Sequence, residues 1–180
     1  MTSERMQQLY ITQERLKTLK GDPKIAKQVE KACKCKISVE PDGTIIISSK
    51  DAFMEFNAKN VMYAYGRGFD VEVALMLLNP EYYFRIIDLG QIESKAERVK
   101  QLKARIIGIG GKAKRYIESV SMAHISVYGD TVSIIGDITQ ISEAETALNT
   151  IIDGGTHKVA YIRMEAMHRK NKEAAISAKF

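Results

Sequence analysis

The chain writes one order of elements twice, and that repetition constrains its fold more than any single motif. In the first pass Gln8–Thr12 reads as a short strand and Arg15–Leu19 as a helical turn. Lys20-Gly21-Asp22-Pro23 breaks that turn, since glycine frees the backbone and proline suits a new helix start. Ile25, Ala26, Val29, Ala32 and Cys33 then recur at helical spacing. Lys36–Val39 and Thr44–Ser48 read as strands around the turn Glu40-Pro41-Asp42-Gly43. A helical pattern follows from Asp51 to Tyr65 and stops at Gly66-Arg67-Gly68.

A short apolar helix over residues 71–78, ended by Asn79-Pro80, separates this pass from the next. Tyr82–Leu89 is rich in aromatic and β-branched residues and reads as a strand. Ile92, Ala96, Val99, Leu102 and Ile106 step by four and three, as one face of an amphipathic helix does. Gly108-Ile109-Gly110-Gly111 breaks it, and Lys112–Val120 forms a second helix with Ala113, Tyr116, Ile117 and Val120 on one side. His124–Tyr128 and Thr131–Ile135 are strands flanking Gly129-Asp130, a pair suited to a hairpin turn. The helix from Asp137 to Ile152 can open with a capping box from Asp137 to Gln140. Its buried face is Ala144, Ala147, Leu148, Ile151 and Ile152. The register holds between passes: Val29 follows Pro23 by six residues as Ile117 follows Gly111, and Ile37 follows Val29 by eight as Ile125 follows Ile117. Each pass is β-α-α-β-β-α, so the expected fold class is α+β, two tandem units of three-stranded antiparallel sheet packed on helices.

Composition fits such a chain. Its 180 residues are 45% hydrophobic and 27% charged, which excludes a disordered tail and a collagen-like protein. No apolar run approaches the ~20 residues that cross a bilayer, and the first residues carry no apolar stretch, so neither a membrane segment nor a secretory leader is expected. Cys33 and Cys35 suit neither a disulfide framework nor a four-ligand zinc site. They read as one packed and one surface thiol, and a reducing, cytoplasmic compartment is the simplest expectation. The net charge of +5 is unevenly spread. Residues 95–118 hold eight Lys and Arg against two Asp and Glu, and residues 119–156 hold none against five. Segregated positive charge around a glycine cluster is an electrostatic footprint for a polyanion.

The stretch Arg105-Ile-Ile-Gly-Ile-Gly-Gly-Lys-Ala-Lys-Arg-Tyr-Ile-Glu118 resembles the helix–G-x-x-G–helix signature of type I KH domains, with Gly108 and Gly111 at the two glycine positions. A KH module clamps about four nucleotides on such a loop. The residues themselves support that use. A helix starting at Gly111 leaves amides unpaired at the positive end of its dipole. Lys112, Lys114 and Arg115 add charge there, and Ile109 and Gly110 form the tip. Ile107, Ile117, Ile125 and Val127 are candidates for an apolar floor under the bases, although each of them can equally be core. Arg105 completes the expected RNA-binding set.

Ala64-Tyr65-Gly66-Arg67-Gly68-Phe69, the hairpin His124–Gly136 and the intervening Asp88-Leu89 look like the two-KH ribosome-assembly factors known as partner-of-Nob or Krr-like proteins. The resemblance covers residues 6–170, specifically in the second unit and loosely in the first. It implies binding near the 3′ end of single-stranded small-subunit ribosomal RNA. It also implies contact with a Nob-type endonuclease, and with the alpha subunit of translation initiation factor two. On this reading residues 1–69 form a first KH-like unit, 70–80 a connecting helix, 81–155 the second KH unit and 156–180 a basic C-terminal helix and tail. The first unit departs from the pattern at Lys20-Gly21-Asp22-Pro23, where neither outer position is glycine, Pro23 offers no N–H and Asp22 repels phosphate. That unit is expected to brace the second or face a protein, with Lys17, Lys20, Lys24 and Lys27 still able to touch phosphate.

Rival chemistries are weaker. Gly108-x-Gly110-x-x-Ala113, with Asp130 beyond, fits a dinucleotide fingerprint, but that motif must follow a strand and open a parallel β-α-β unit. A P-loop fails at Ile106 and Ala113. His124, His157 and His168 build no base–nucleophile pair. Asp130, Asp137, Glu143, Glu145 and Asp153 read as solvated surface rather than a magnesium site. No catalytic residue, cofactor or metal is therefore expected. The helix from Val159 to Lys172 is expected to close the second unit through Val159, Ile162 and Met167. The alternative functions are a protein-interaction scaffold, motivated by the degenerate first turn and the acidic block of residues 51–94, and a dinucleotide-binding enzyme.

Overall fold

The computed structural model of the chain describes residues 6–177. They divide into two compact units, with the boundary between Pro80 and Glu81. The first unit runs β1 (Met6–Leu9), α1 (Gln13–Gly21), α2 (Pro23–Cys33), β2 (Lys36–Val39), β3 (Ile45–Ser48), α3 (Ala52–Gly66) and α4 (Val71–Leu75), extended by a 3-10 turn over Met76–Leu78. The second runs β4 (Tyr83–Asp88), α5 (Leu89–Ile92), α6 (Ala96–Ile107), a 3-10 turn over Ile109–Gly111, α7 (Lys112–Ser121), β5 (His124–Tyr128), β6 (Thr131–Gly136), α8 (Ile138–Ile152) and α9 (His157–Ser177). Each unit holds a three-stranded antiparallel sheet with its last strand in the middle, ordered β1-β3-β2 and β4-β6-β5. The α+β class and the doubled element order expected from the sequence are present. Among the described residues no helix is long and apolar enough to cross a membrane.

Local chemistry sets the element ends. Thr12 caps α1, so the first strand ends at Leu9 rather than running to Thr12, and Tyr10 is left exposed. Asp22 accepts the Lys24 amide and Pro23 occupies the first turn of α2, where its missing N–H costs no helical bond. Asp88 caps a separate short helix, α5, which takes Ile92 off the face of α6 and leaves it exposed. The buried side of α6 is therefore Val99 and Ile106 with half-buried Leu102, and Ala96 is exposed. Asp137 and Gln140 form the expected capping box.

The core of the second unit gathers Leu89, Val99, Ile106, Ile117, Ile125, Val132, Ile134, Ala144, Leu148 and Ile151, closed by Ala160 and Met164 of α9. The last helix thus closes the unit, and of the three residues expected to do so Met167 turns inward, half-buried against Ser142 and Thr146 of α8, while Val159 and Ile162 are exposed. Two corrections concern polar groups. Glu143 is buried, its carboxylate held by His168 Nδ1 at 2.8 Å and Asn171 Nδ2 at 2.9 Å, pinning α9 to α8. Cys35 is buried along with Cys33 instead of lying on the surface, and Ala32 is exposed.

The repeat extends to details that no hydrophobic pattern encodes. Lys34 and Met122, the two non-glycine residues at positive φ among the described residues, end α2 and α7 at matching places 88 positions apart. Glu30 Oε1 accepts the Ile37 amide at 2.9 Å, and Glu118 Oε1 accepts the Ile125 amide at 2.8 Å. Arg15 donates to the carbonyls of Tyr65 and Phe69, as Arg105 does to those of Ile151 and Gly155. In both units a guanidinium from the helix before the turn ties down the end of the last helix of the β-α-α-β-β-α order.

Candidate nucleic-acid interface

The turn Gly108–Gly111 stands between α6 and α7 and is open to solvent. Ile109 at its tip is 91% exposed, the largest exposure among the large apolar side chains described. Water disfavours that placement, and at that exposure the side chain adds little to packing. Three glycines in the turn have positive φ: Gly108 at 72°, Gly110 at 58° and Gly111 at 75°. At Gly108 a Cβ would lie 2.7 Å from Ala113 Cβ and 2.8 Å from the Ala113 amide nitrogen, so the close joining of α6 to α7 requires its absence. At Gly110 a Cβ would meet nothing within 4 Å, which leaves the backbone open to a ligand.

The amides are arranged differently from a bare helix start. Gly108 N–H donates to Ala104 O, Gly111 N–H to Gly108 O at 3.0 Å, and Lys112 N–H to Ile109 O. The expectation that the amides beginning at Gly111 stand free is thereby corrected, because the 3-10 turn uses them internally. The amides of Ile109 and Gly110 lie outside these bonds. Arg115 reaches back over the turn and donates to Gly110 O at 2.6 Å, which holds its guanidinium at the tip.

The twelve residues expected to bind RNA do not form one surface. Gly108, Ile109, Gly110, Gly111, Lys112 and Arg115 come together at the tip, and Lys112 is exposed with no ion pair among the described residues. Lys114 is instead paired with Glu118 at 2.9 Å. Arg105 donates to Ile151 O at 2.9 Å and to Gly155 O, so its charge is spent on the end of α8. Ile117 and Ile125 are buried among the core residues and offer no face to a base. Ile107 and Val127 are half-buried, and Val127 packs against the core of the unit.

Two contacts were not expected from the sequence, which grouped Tyr116 with the packed side of its helix. Tyr116, one helical turn beyond Lys112, is half-exposed and lies 4.4 Å, centroid to centroid, from Tyr161 of α9. Its hydroxyl donates to Glu165, and that carboxylate holds the phenol above its ordinary pKa. The i, i+4 spacing of Lys112 and Tyr116 was the available signal. The second feature is Lys103, whose ammonium bonds Gly129 O at 2.9 Å and Asp130 Oδ1 at 3.0 Å and fixes the hairpin turn to α6.

This geometry excludes the dinucleotide alternative. The glycine turn follows helix α6 rather than a strand, and every strand pair among the described residues is antiparallel. Among the described residues no group of three His, Cys, Asp or Glu could hold a metal ion.

Residues 83–169 match the family model of the second KH domain of Pno1, described as a eukaryotic-type KH domain, KH-domain type I. A KH domain-containing protein of Methanocaldococcus jannaschii is 35% identical over 171 residues, covering 92% of this chain and 75% of that protein. The pre-rRNA-processing protein pno1 of Aspergillus fumigatus is 27% identical over 113 residues, and the match spans 61% of this chain and 45% of that longer protein. Among solved structures, a chain of the a/eIF2alpha–aDim2p–rRNA complex of Pyrococcus horikoshii superposes with a TM-score of 0.84 at 32% identity, covering 94% of this chain and 97% of that one.

Proposed function

The chain belongs to the Pno1/Dim2 family of KH-domain proteins, and on that premise we propose that it clamps single-stranded small-subunit ribosomal RNA, near the 3′ end, through the second unit. The observation that carries the reading is the turn Gly108–Gly111, which is open, glycine-lined and tipped by an exposed isoleucine, with the exposed cations Lys112 and Arg115 on the helix that follows. A strand laid over it would set phosphates against Lys112, Arg115 and the amides of Ile109 and Gly110. Its bases would turn toward Ile107 and Val127. Such a surface holds and orients; it contains no group placed to cut. The activity assigned is therefore binding, with cleavage left to a partner endonuclease of the Nob type. A relative named as a pre-rRNA-processing protein supports the process, and a relative solved together with rRNA and a/eIF2alpha supports RNA and the alpha subunit of initiation factor two as partners.

Ultraviolet crosslinking in cell extract followed by sequencing of the attached RNA tests substrate and process together. Reads gathered at the 3′ terminus of small-subunit rRNA are the expected result. Reads spread evenly over cellular RNA would overturn the assignment.

A further inference from the structure

After the β-α-α-β-β-α order each unit adds one more helix, packed on the helix before it: α4 on α3, and α9 on α8. A constant offset of 86 residues relates the two pairs. Asp51 and Asp137 cap α3 and α8. The carbonyls of Tyr65 and Phe69 receive Arg15, as those of Ile151 and Gly155 receive Arg105. Asp70 O and Thr156 O accept the amides of Ala74 and Ala160, and both alanines are fully buried.

The two covering helices then differ in length. α9 runs on to Ser177, and past Met164 it still lies on α8. There Met167 Sδ accepts Thr146 Oγ1 at 3.1 Å and Ser142 Oγ at 3.9 Å, and His168 and Asn171 hold Glu143. α4 with its 3-10 turn ends at Leu78, the equivalent of Met164, because Asn79-Pro80 stops it before β4. The α3 positions that match Thr139, Ser142, Glu143 and Thr146 are Phe53, Phe56, Asn57 and Asn60. Phe53 is 65% exposed and Phe56 56%. They stand at i and i+3, about 60° apart around the axis, and Asn57 and Asn60 beside them are half-buried. The first unit thus exposes two phenyl rings on the stretch of α3 that the second unit covers with the far half of α9.

We propose that this face of α3 receives a helix from a protein partner, laid as the far half of α9 lies on α8. The inference stands apart from the RNA-binding assignment of the second unit. The incoming helix is amphipathic, with apolar residues at i, i+3 or i+4 and i+7 against Phe53 and Phe56, since exposed aromatic rings are the large apolar anchors of an interface. Asn57 and Asn60 can meet its polar groups, as Glu143 meets His168 and Asn171. Its flank is basic. Residues 51–58 carry Asp51 and Glu55 and no Lys or Arg, and the next cation on α3, Lys59, already donates to Gln7 Oε1 at 2.8 Å. Cations on the partner complement those acids. RNA fits less well, because the same acids repel phosphate. A second copy of the chain fits less well too, because a two-fold contact through this face would set acid against acid.

The test places the photocrosslinking amino acid p-benzoylphenylalanine in the full chain in place of Phe53 and, as a control, in place of the exposed Ile138 of the second unit. Irradiation in extract of the cells that make the protein, followed by mass spectrometry, identifies the captured segment. A synthetic peptide of that segment is then titrated against the parent and against the double variant Phe53→Ser, Phe56→Ser, with Phe53→Ser alone as a milder second variant and thermal melts checked for each. The expected result is one protein segment captured from position 53 and not from 138. Its peptide should gain helical circular dichroism on binding the parent, and should bind the folded double variant roughly tenfold or more weakly. Capture of no protein above the control at 138 would overturn the proposal. So would capture of RNA alone, capture of a second copy of this chain alone, or a peptide that binds parent and variants equally. Failure of the clamp reading is separate, because it would appear as intact short-strand RNA binding by a variant altered at Ile109 and Gly110.

Discussion

Single residues around the turn divide by what they hold. Gly108 holds two helices together, and Gly110 leaves room for a ligand. Replacing Gly108 by Ala combines a positive φ with a Cβ driven against Ala113 and should cost about 2 kcal/mol or more in a denaturant melt. Gly110→Ala meets no neighbour and should cost about 1 kcal/mol. Arg105 is the instructive case. Its place three residues before Gly108 made it a natural RNA contact in sequence, but spacing along a chain does not say which way a guanidinium points. In the fold it points at the end of α8. Arg105→Ala should lower stability by about 2 kcal/mol, the scale for a charged hydrogen bond to backbone, and leave the RNA affinity of the folded protein within about twofold. Lost affinity at unchanged stability would return Arg105 to the binding surface. Ile117 and Ile125 were ambiguous for a related reason: a period-2 or helical pattern shows a shared face, without showing whether solvent or core lies against it.

Elements were the most legible scale. The capping residues, glycine breaks and hairpin turns all act through neighbours in sequence, so strands and helices were placed within a few residues. Errors fell where a distant contact decides. The buried side of α9 is set by Ala160 and Met164 fitting against α8, and the larger Val159 and Ile162 misdirected the sequence reading. The struts from Glu30 and Glu118 to the following strands were invisible for the same reason, since a carboxylate satisfying a strand amide has no signature in composition. Glu118→Ala would orphan the Ile125 amide and should destabilise the second unit by about 1–3 kcal/mol. Glu118→Gln, able to accept the same bond, should recover most of that loss. At the start of β2, burial above all, with smaller pushes from the Cys33 thiol and the Glu30 carboxylate, raises the Cys35 pKa from 9.0 to about 11. A raised thiol pKa stabilises the fold fully below the ordinary value, and that stabilisation is lost as pH climbs through the interval up to about 11. Both cysteines should accordingly resist iodoacetamide at neutral pH and react together on unfolding, as mass spectrometry would record. Rapid native labelling of Cys35 would contradict its burial.

At the scale of the whole molecule the doubled element order was plain from sequence, because the hydrophobic spacing recurs in register. The difference between the two turns was also plain, since the departure at Lys20-Gly21-Asp22-Pro23 could be read directly, and the fold adds that Asp22 caps α2 there with Pro23 in its first turn. Binding by such a molecule is electrostatic in strength and steric in selectivity, so its affinity should fall steeply with salt. Lys112→Gln with Arg115→Gln should flatten the salt slope on a short single strand by about 1 to 1.5 units. The central claim, that the open glycine turn is the clamp, is met most directly by the double variant Ile109→Asp, Gly110→Asp. Ile109 packs on nothing it would unseat, and Asp tolerates the left-handed backbone at position 110 better than most residues, so the fold should survive. Fluorescence anisotropy with a single-stranded RNA from the 3′ end of small-subunit rRNA should show affinity reduced by roughly two orders of magnitude, about 2.7 kcal/mol. A folded double variant that binds this RNA as tightly as the parent would contradict the account.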